Sequence, residues 1–238
     1  MKQLLLEVVR VVPPTFENFV ACSNEELLRM LTDLINRQVK ENFIYLWGEG
    51  GCGKSHLLQA VVHASIARQL PVRYIDCGQT AGLGVDSEAS HVVVDDVEKL
   101  DDARQIRLFD LYNRIRENGD GFFIASGARP PAQLALREDL ATRLGWGLVY
   151  QVHTLSDTQK IEAMQNHAAR RGLALSQGIC EYLMKNVQRD LPSLMEIIDH
   201  FDQYSLQRQR PVTLALLYQW LRSRRHLQPE QEHPDCVA

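Results

Sequence analysis

"FIYLWGEGGCGKS", residues 43–55, reads as an apolar strand that runs into a glycine-rich turn and then opens a helix. Its last eight residues satisfy G-x-x-x-x-G-K-[ST], and each fixed position of that pattern has a physical task. Gly48 and Gly53 permit backbone angles and close approach that a Cβ would block. The amides between them, carried by Gly50, Gly51 and Cys52, can then converge on anionic oxygens, with a helix N-terminus behind them. Lys54 can reach β- and γ-phosphates and the Ser55 hydroxyl can ligate Mg²⁺, while His56 follows in the first helical turn. The stretch therefore predicts a strand, a phosphate loop and a helix, with ATP or ADP as ligand. Cys52 is read as a small residue tolerated in the loop rather than as a redox switch.

"HVVVDD", residues 91–96, supplies a second half. Three valines make a buried strand, so Asp95 falls at its carboxyl end, where open α/β sheets bind ligands. Asp95 is a candidate Mg²⁺ partner, directly or through a water, and Asp96 a candidate for orienting or deprotonating an attacking water.

Around these two motifs the chain alternates strands with helices. "VRYIDC", "GFFIAS" and "LVYQV" complete a set of five apolar strands. Ser23 and Glu26 have capping-box spacing ahead of a helix that carries Leu27, Leu31, Leu34 and Ile35 on one face. A later helix is expected to present Ile106, Phe109, Tyr112 and Ile115 and to stop near Asn118 and Gly119. From about His153 only helical periodicity remains, opened by a second capping box at Ser156 and Gln159. The expectation is an α/β fold, a five-stranded, mostly parallel sheet, followed by a small all-helical domain. Its boundaries are read as a tip and proline spacer at 1–14, the α/β domain at 15–152, the helical domain at 153–225 and a polar tail at 226–238.

Composition narrows the class. The 238 residues are 45% hydrophobic, enough for a sizeable core. No run approaches the roughly 18 apolar residues of a membrane span, so a cytoplasmic protein with no membrane partner is expected. The five cysteines form no C-x-x-C pair, which argues against a disulfide framework or a zinc site. A net charge of −4 does not suit a general DNA-coating surface. DNA contact is therefore expected to be local or indirect.

Read together, these motifs resemble the AAA+ ATPase superfamily and, within it, the branch of the DnaA replication initiator. The resemblance is carried by "PTFENFVACSNEELL" (residues 14–28), "FDLYNR" (109–114), "ARPPAQL" (128–134) and "DLATRLGWGLVY" (139–150). It implies that the segment with Phe19 and Val20 lines the adenine pocket. It implies that Ser126 occupies the polar sensor position facing the γ-phosphate or lytic water, and that Arg143 is the arginine finger. One position departs from the pattern. Pro192 stands where relatives carry a second sensor arginine, which leaves intrinsic ATP hydrolysis open.

The N-terminal tip, with Gln3, Leu4 and Leu6, resembles the peptide through which bacterial proteins bind the polymerase III sliding clamp. The alternative is an amphipathic strand packed on its own domain. Fewer than twenty residues follow Trp220, so the helix-turn-helix domain of an initiator is not expected. The segment 78–90 is likewise too short for the helical insertion that initiators use on single strands. The resemblance thus implies a negative regulator of replication initiation. It would bind the clamp, reach DNA only through it, and stimulate hydrolysis of ATP held by DnaA, with self-association left open. The alternative within the branch is a helicase loader or transposition-helper ATPase that binds DNA or helicase directly.

Overall fold

The computed structural model describes residues 13–79, 89–187 and 191–225. The chain divides into two compact units, Met1–Thr154 and Leu155–Ala238.

The first unit is built on β1 (Phe43–Trp47), β2 (Val72–Asp76), β3 (His91–Asp95), β4 (Phe123–Gly127) and β5 (Leu148–Gln151). Every pairing is parallel, in the order β2-β3-β4-β1-β5. Parallel strands need crossovers, and among the described residues α2, α3 and α4 supply those after β1, β3 and β4, on both faces of the sheet. The strand pleat sorts side chains between two cores. Ile44, Leu46, Val93 and Ile124 meet Leu27, Leu31 and Leu34 of α1 (Glu25–Ile35) and Leu57, Leu58 and Val61 of α2 (Lys54–Ala67). Tyr45, Val92, Val94 and Phe123 meet Leu108, Leu111 and Ile115 of α3 (Asp102–Asn118) and Leu140 and Leu144 of α4 (Glu138–Leu144). Burial of each such aliphatic side chain contributes about 1.5–3 kcal/mol.

Two local expectations are corrected. Ser23 and Glu26 form no capping box: Cys22–Asn24 is a short 3-10 turn, and α1 starts after Asn24 without a side-chain cap. Asn24 is instead buried, and its side-chain amide exchanges two hydrogen bonds with the backbone of His153, at 3.0 and 2.8 Å. That long-range pairing overrides the local cap. On α3 the buried face is Gln105, Leu108, Leu111, Tyr112 and Ile115, while Ile106 is 45% exposed. Gln105 is tolerated inside because it donates to the carbonyl of Leu100 and accepts from the amide of Arg137. Its polar head hid the true stripe. The stop at Gly119, at φ 74°, is as expected.

The second unit holds α5 (Asp157–Arg170), α6 (Gln177–Asn186), α7 (Leu191–Arg208) and α8 (Leu214–Arg225). Its core joins Met164, Ile179, Leu183, Leu194, Ile198, Phe201, Leu217 and Trp220. The capping box of Ser156 and Gln159 is formed, and Gly172 leaves the α5 end at φ 76°. Among the described residues no helix is long and apolar enough to cross a membrane.

Candidate functional site

β1 sits between β4 and β5, so the loop leaving its carboxyl end has strand ends on both sides. Gly48 donates its amide to Gly127 at the end of β4, at 3.4 Å. A Cβ on Gly48 would lie 2.5 Å from the carbonyl oxygen of Val152. Gly53 has φ 102°, and a Cβ there would lie 2.7 Å from the edge of the Phe19 ring. At Gly50 and Gly51 the reverse holds: a Cβ would meet nothing within 4 Å, so this side of the loop is open.

Lys54 is buried, and its ammonium donates to the loop's own carbonyls at Gly48 (2.8 Å) and Glu49 (3.2 Å). The side chain closes the loop into a ring and keeps a positive charge against it. Ser55 is exposed in the first turn of α2, and Cys52 is buried, with burial pushing its thiol pKa up. Residues 14–20 lie along α2. His56 Nε2 meets the carbonyl of Thr15 at 3.0 Å, His63 Nδ1 that of Pro14 at 2.7 Å, and the Phe19 and His56 rings stand 5.5 Å apart. Burial lowers the His56 pKa, which favours the neutral imidazole. The open amide face, the enclosed lysine and the adjacent aromatic segment together fit a nucleoside di- or triphosphate.

The ends of β3 and β4 form a second cluster. Val94 pairs with Ala125, which stands Asp95 beside Ser126. Asp95 is 4% exposed, and its carboxylate accepts from the Ser126 hydroxyl and, at 2.8 Å, from the Tyr74 hydroxyl. Ser126 is fully buried and in turn accepts from the amide of Asp96 at 3.0 Å. Asp96 holds a left-handed φ of 57° and its carboxylate takes Lys99 at 2.6 Å. All three predicted residues are therefore brought together, but each is already engaged within the protein. Each carboxylate oxygen retains a second lone pair, so contact of Asp95 with a hydrated Mg²⁺ beside Ser55 is compatible with this arrangement. Tyr74 was not anticipated. Its role follows from the register of β2 against β3, which residue spacing does not reveal.

Arg143 lies elsewhere. It occupies the last turn of α4, and Gly147, four residues on, packs on the carbonyl of Phe43, the first residue of β1. The phosphate loop leaves the other end of that strand. A five-residue strand spans roughly 16 Å, so the backbone just after α4 meets β1 at the end away from the phosphate loop. The guanidinium carbon of Arg143 stands 3.9 Å from the ring centre of Trp146 and 5.7 Å from that of Phe109. These residues, with Thr142 and the Arg137–Asp139 ion pair, line a surface concavity of about 690 Å³.

Of the remaining predicted positions, Val20 is partly buried in the segment along α2, and Pro192 sits exposed in the first turn of α7. Gln3, Leu4 and Leu6 lie outside the described residues.

Residues 157–221 match the family model described as "Hda, lid domain", and residues 13–82 match "Bacterial DnaA ATPAse domain". An uncharacterized protein of Haemophilus influenzae is 34% identical over 224 residues, covering 91% of this chain and 96% of the relative. Domain III of the Thermotoga maritima replication initiation protein DnaA has a similar structure, with a TM-score of 0.69. It is 20% identical, over 88% of this chain and 95% of that one. AMPPCP-bound DnaA from Aquifex aeolicus is also similar, with a TM-score of 0.67 at 22% identity, over 78% of this chain and 64% of that one.

Proposed function

The chain belongs to the Hda-like, DnaA-homologous AAA+ proteins, and from that premise we propose that it regulates replication initiation by completing the nucleotide site of another subunit. Arg143 is offered to ATP held by DnaA and speeds its hydrolysis. The observation that carries this reading is that Arg143 sits in the last turn of α4, whose following backbone meets β1 at the end away from the chain's own phosphate loop. We read a cation there as serving a neighbour's nucleotide rather than the chain's own. Presented to a neighbour, it has the charge and donors to stabilise the γ-phosphoryl oxygens as water attacks and the bond to the β-phosphate breaks.

The chain's own loop takes ATP or ADP through Gly48, Gly50, Gly51, Cys52, Gly53, Lys54, Ser55 and His56, with Phe19 and Val20 beside the base. Bound there with Mg²⁺ at Ser55, the nucleotide supplies charge that fixes the loop. Ser126 and Tyr74 hold Asp95 in place, and Ser126 fixes the backbone at Asp96. Pro192 brings no charge to the helical unit, which supports a structural rather than a turnover role for this nucleotide. Gln3, Leu4 and Leu6 tether the protein to the sliding clamp, and through it to DNA.

The test measures hydrolysis of DnaA-bound ATP with clamp loaded on DNA. Arg143→Ala is expected to remove the stimulation, a loss on the order of a thousandfold where the finger alone supplies it. Gln3→Ala is expected to remove only the clamp-dependent part. Equal rates for wild type and both variants would overturn the proposal. Tight, steeply salt-dependent binding of single-stranded DNA by the chain alone would point instead to a loader.

A further inference from the structure

Just past α4, where the backbone meets the start of β1, two guanidiniums converge on one indole. Trp146 is 53% exposed, and the guanidinium carbons of Arg143 and Arg116 stand 3.9 and 4.8 Å from its ring centre. Neither arginine forms an ion pair among the described residues, although Arg137 nearby is paired with Asp139 at 2.9 Å.

That difference has a chemical consequence. A carboxylate partner would neutralise the guanidinium and take up its in-plane N–H donors. An aromatic ring engages the flat face instead, leaves the charge whole and leaves the donors pointing outward. Arginine also has many rotamers, and an unsupported one would have to be ordered each time an anion is engaged. The backbone that carries the indole is held from both sides. The Trp146 amide donates to the carbonyl of Arg143 at 3.1 Å, and Gly147 is pressed on the backbone of Phe43. A large apolar ring kept in solvent by its backbone, beneath unpaired cations, is a platform rather than misplaced core.

We propose that Trp146 is the positioning residue for Arg143. It holds the guanidinium extended and uncompensated until an anion on a neighbouring subunit arrives, while Arg116 on the same ring raises the local positive potential. This deepens the function proposed above and rests on it.

The experiment follows stimulated hydrolysis of DnaA-bound ATP for wild type, Trp146→Phe, Trp146→Leu and Arg143→Ala. It also records the chain concentration giving half the maximal effect and the tryptophan emission of the free chain. Trp146→Leu is expected to lower the maximal rate by between about twofold and thirtyfold, the range of a guanidinium–indole contact, at an unchanged half-maximal concentration. Trp146→Phe keeps a ring and should lose less. Arg143→Ala should shift the emission with no partner present, because of the three tryptophans Trp47 is partly buried and Trp220 is buried. Full activity of Trp146→Leu beside an inactive Arg143→Ala overturns the positioning role and leaves the finger intact. Full activity of Arg143→Ala overturns both. Should Trp146→Leu not fold, equal losses in Trp146→Phe and Arg143→Ala, or an emission unmoved by Arg143→Ala, overturn the positioning role.

Discussion

The hydroxyl of Ser126 donates to the carboxylate of Asp95 and, at 3.0 Å, accepts the amide hydrogen of Asp96. One buried side chain thus ties the ends of two neighbouring strands at the place where the acidic pair begins. Ser126→Ala leaves both the Asp95 carboxylate and the Asp96 amide short of a partner. The expected cost is about 1–3 kcal/mol, seen as a lower melting temperature, with a weaker grip on ADP in calorimetry. Tyr74→Phe removes one bond to the same carboxylate and is expected to cost less.

Two glycines of the phosphate loop separate fold from ligand. Gly53→Ala strains a φ of 102° and drives a Cβ into Phe19, so it should destabilise the free protein by about 1–3 kcal/mol. Gly50→Ala meets nothing within 4 Å, so the free protein should melt nearly as wild type does. A nucleotide seated on the open face would collide with that methyl group. Gly50→Ala is therefore expected to lose nucleotide affinity while keeping its fold, as read by titration calorimetry beside thermal melting.

Lys54 closes its loop through two carbonyls, and in the function proposed above its charge serves a phosphate. Lys54→Ala should weaken ADP binding by roughly tenfold to a hundredfold, the worth of one charge-assisted hydrogen bond. A fluorescent ADP analogue gives the measurement, and unchanged affinity would contradict the seat assigned to the nucleotide.

Acid should loosen the first unit through two histidines. Burial lowers the pKa of His56 and, with Arg37, that of His91, from the ordinary value of 6.5. The unfolded chain therefore binds protons that the folded chain refuses. Their contribution is fully present well above pH 6.5 and declines as pH falls through that value toward the lower folded pKa. Melting temperatures between about pH 7.5 and pH 5.5 should fall, and the fall should be shallower in His56→Asn.

Much of this was legible in residue order. Five short apolar-rich runs gave the strands: the central β1, β3 and β4 are largely buried because both their faces are covered, while the edge strands β2 and β5 are only partly buried. The loop was legible because its steric demands admit so few residue types. What stayed hidden depended on distant partners. Asn24 abandons its neighbours for His153, Gln105 enters the core to serve Leu100 and Arg137, and Tyr74 reaches Asp95 across two strands joined by a long connection. Trp146 left one signal, its position three residues after Arg143 just past the end of a helix, but its exposure emerges only from the fold.

A body that grasps a nucleotide where one strand ends, and bears a cation near where that strand begins, has a front and a back. Contacts joining the two are heterologous, so they cannot be closed by a twofold axis; repeated, they close only as a ring or run on as an open row. A subunit used for its cation alone takes the terminal place in such a row, and polarity of docking, beyond affinity, then decides which nucleotide it meets.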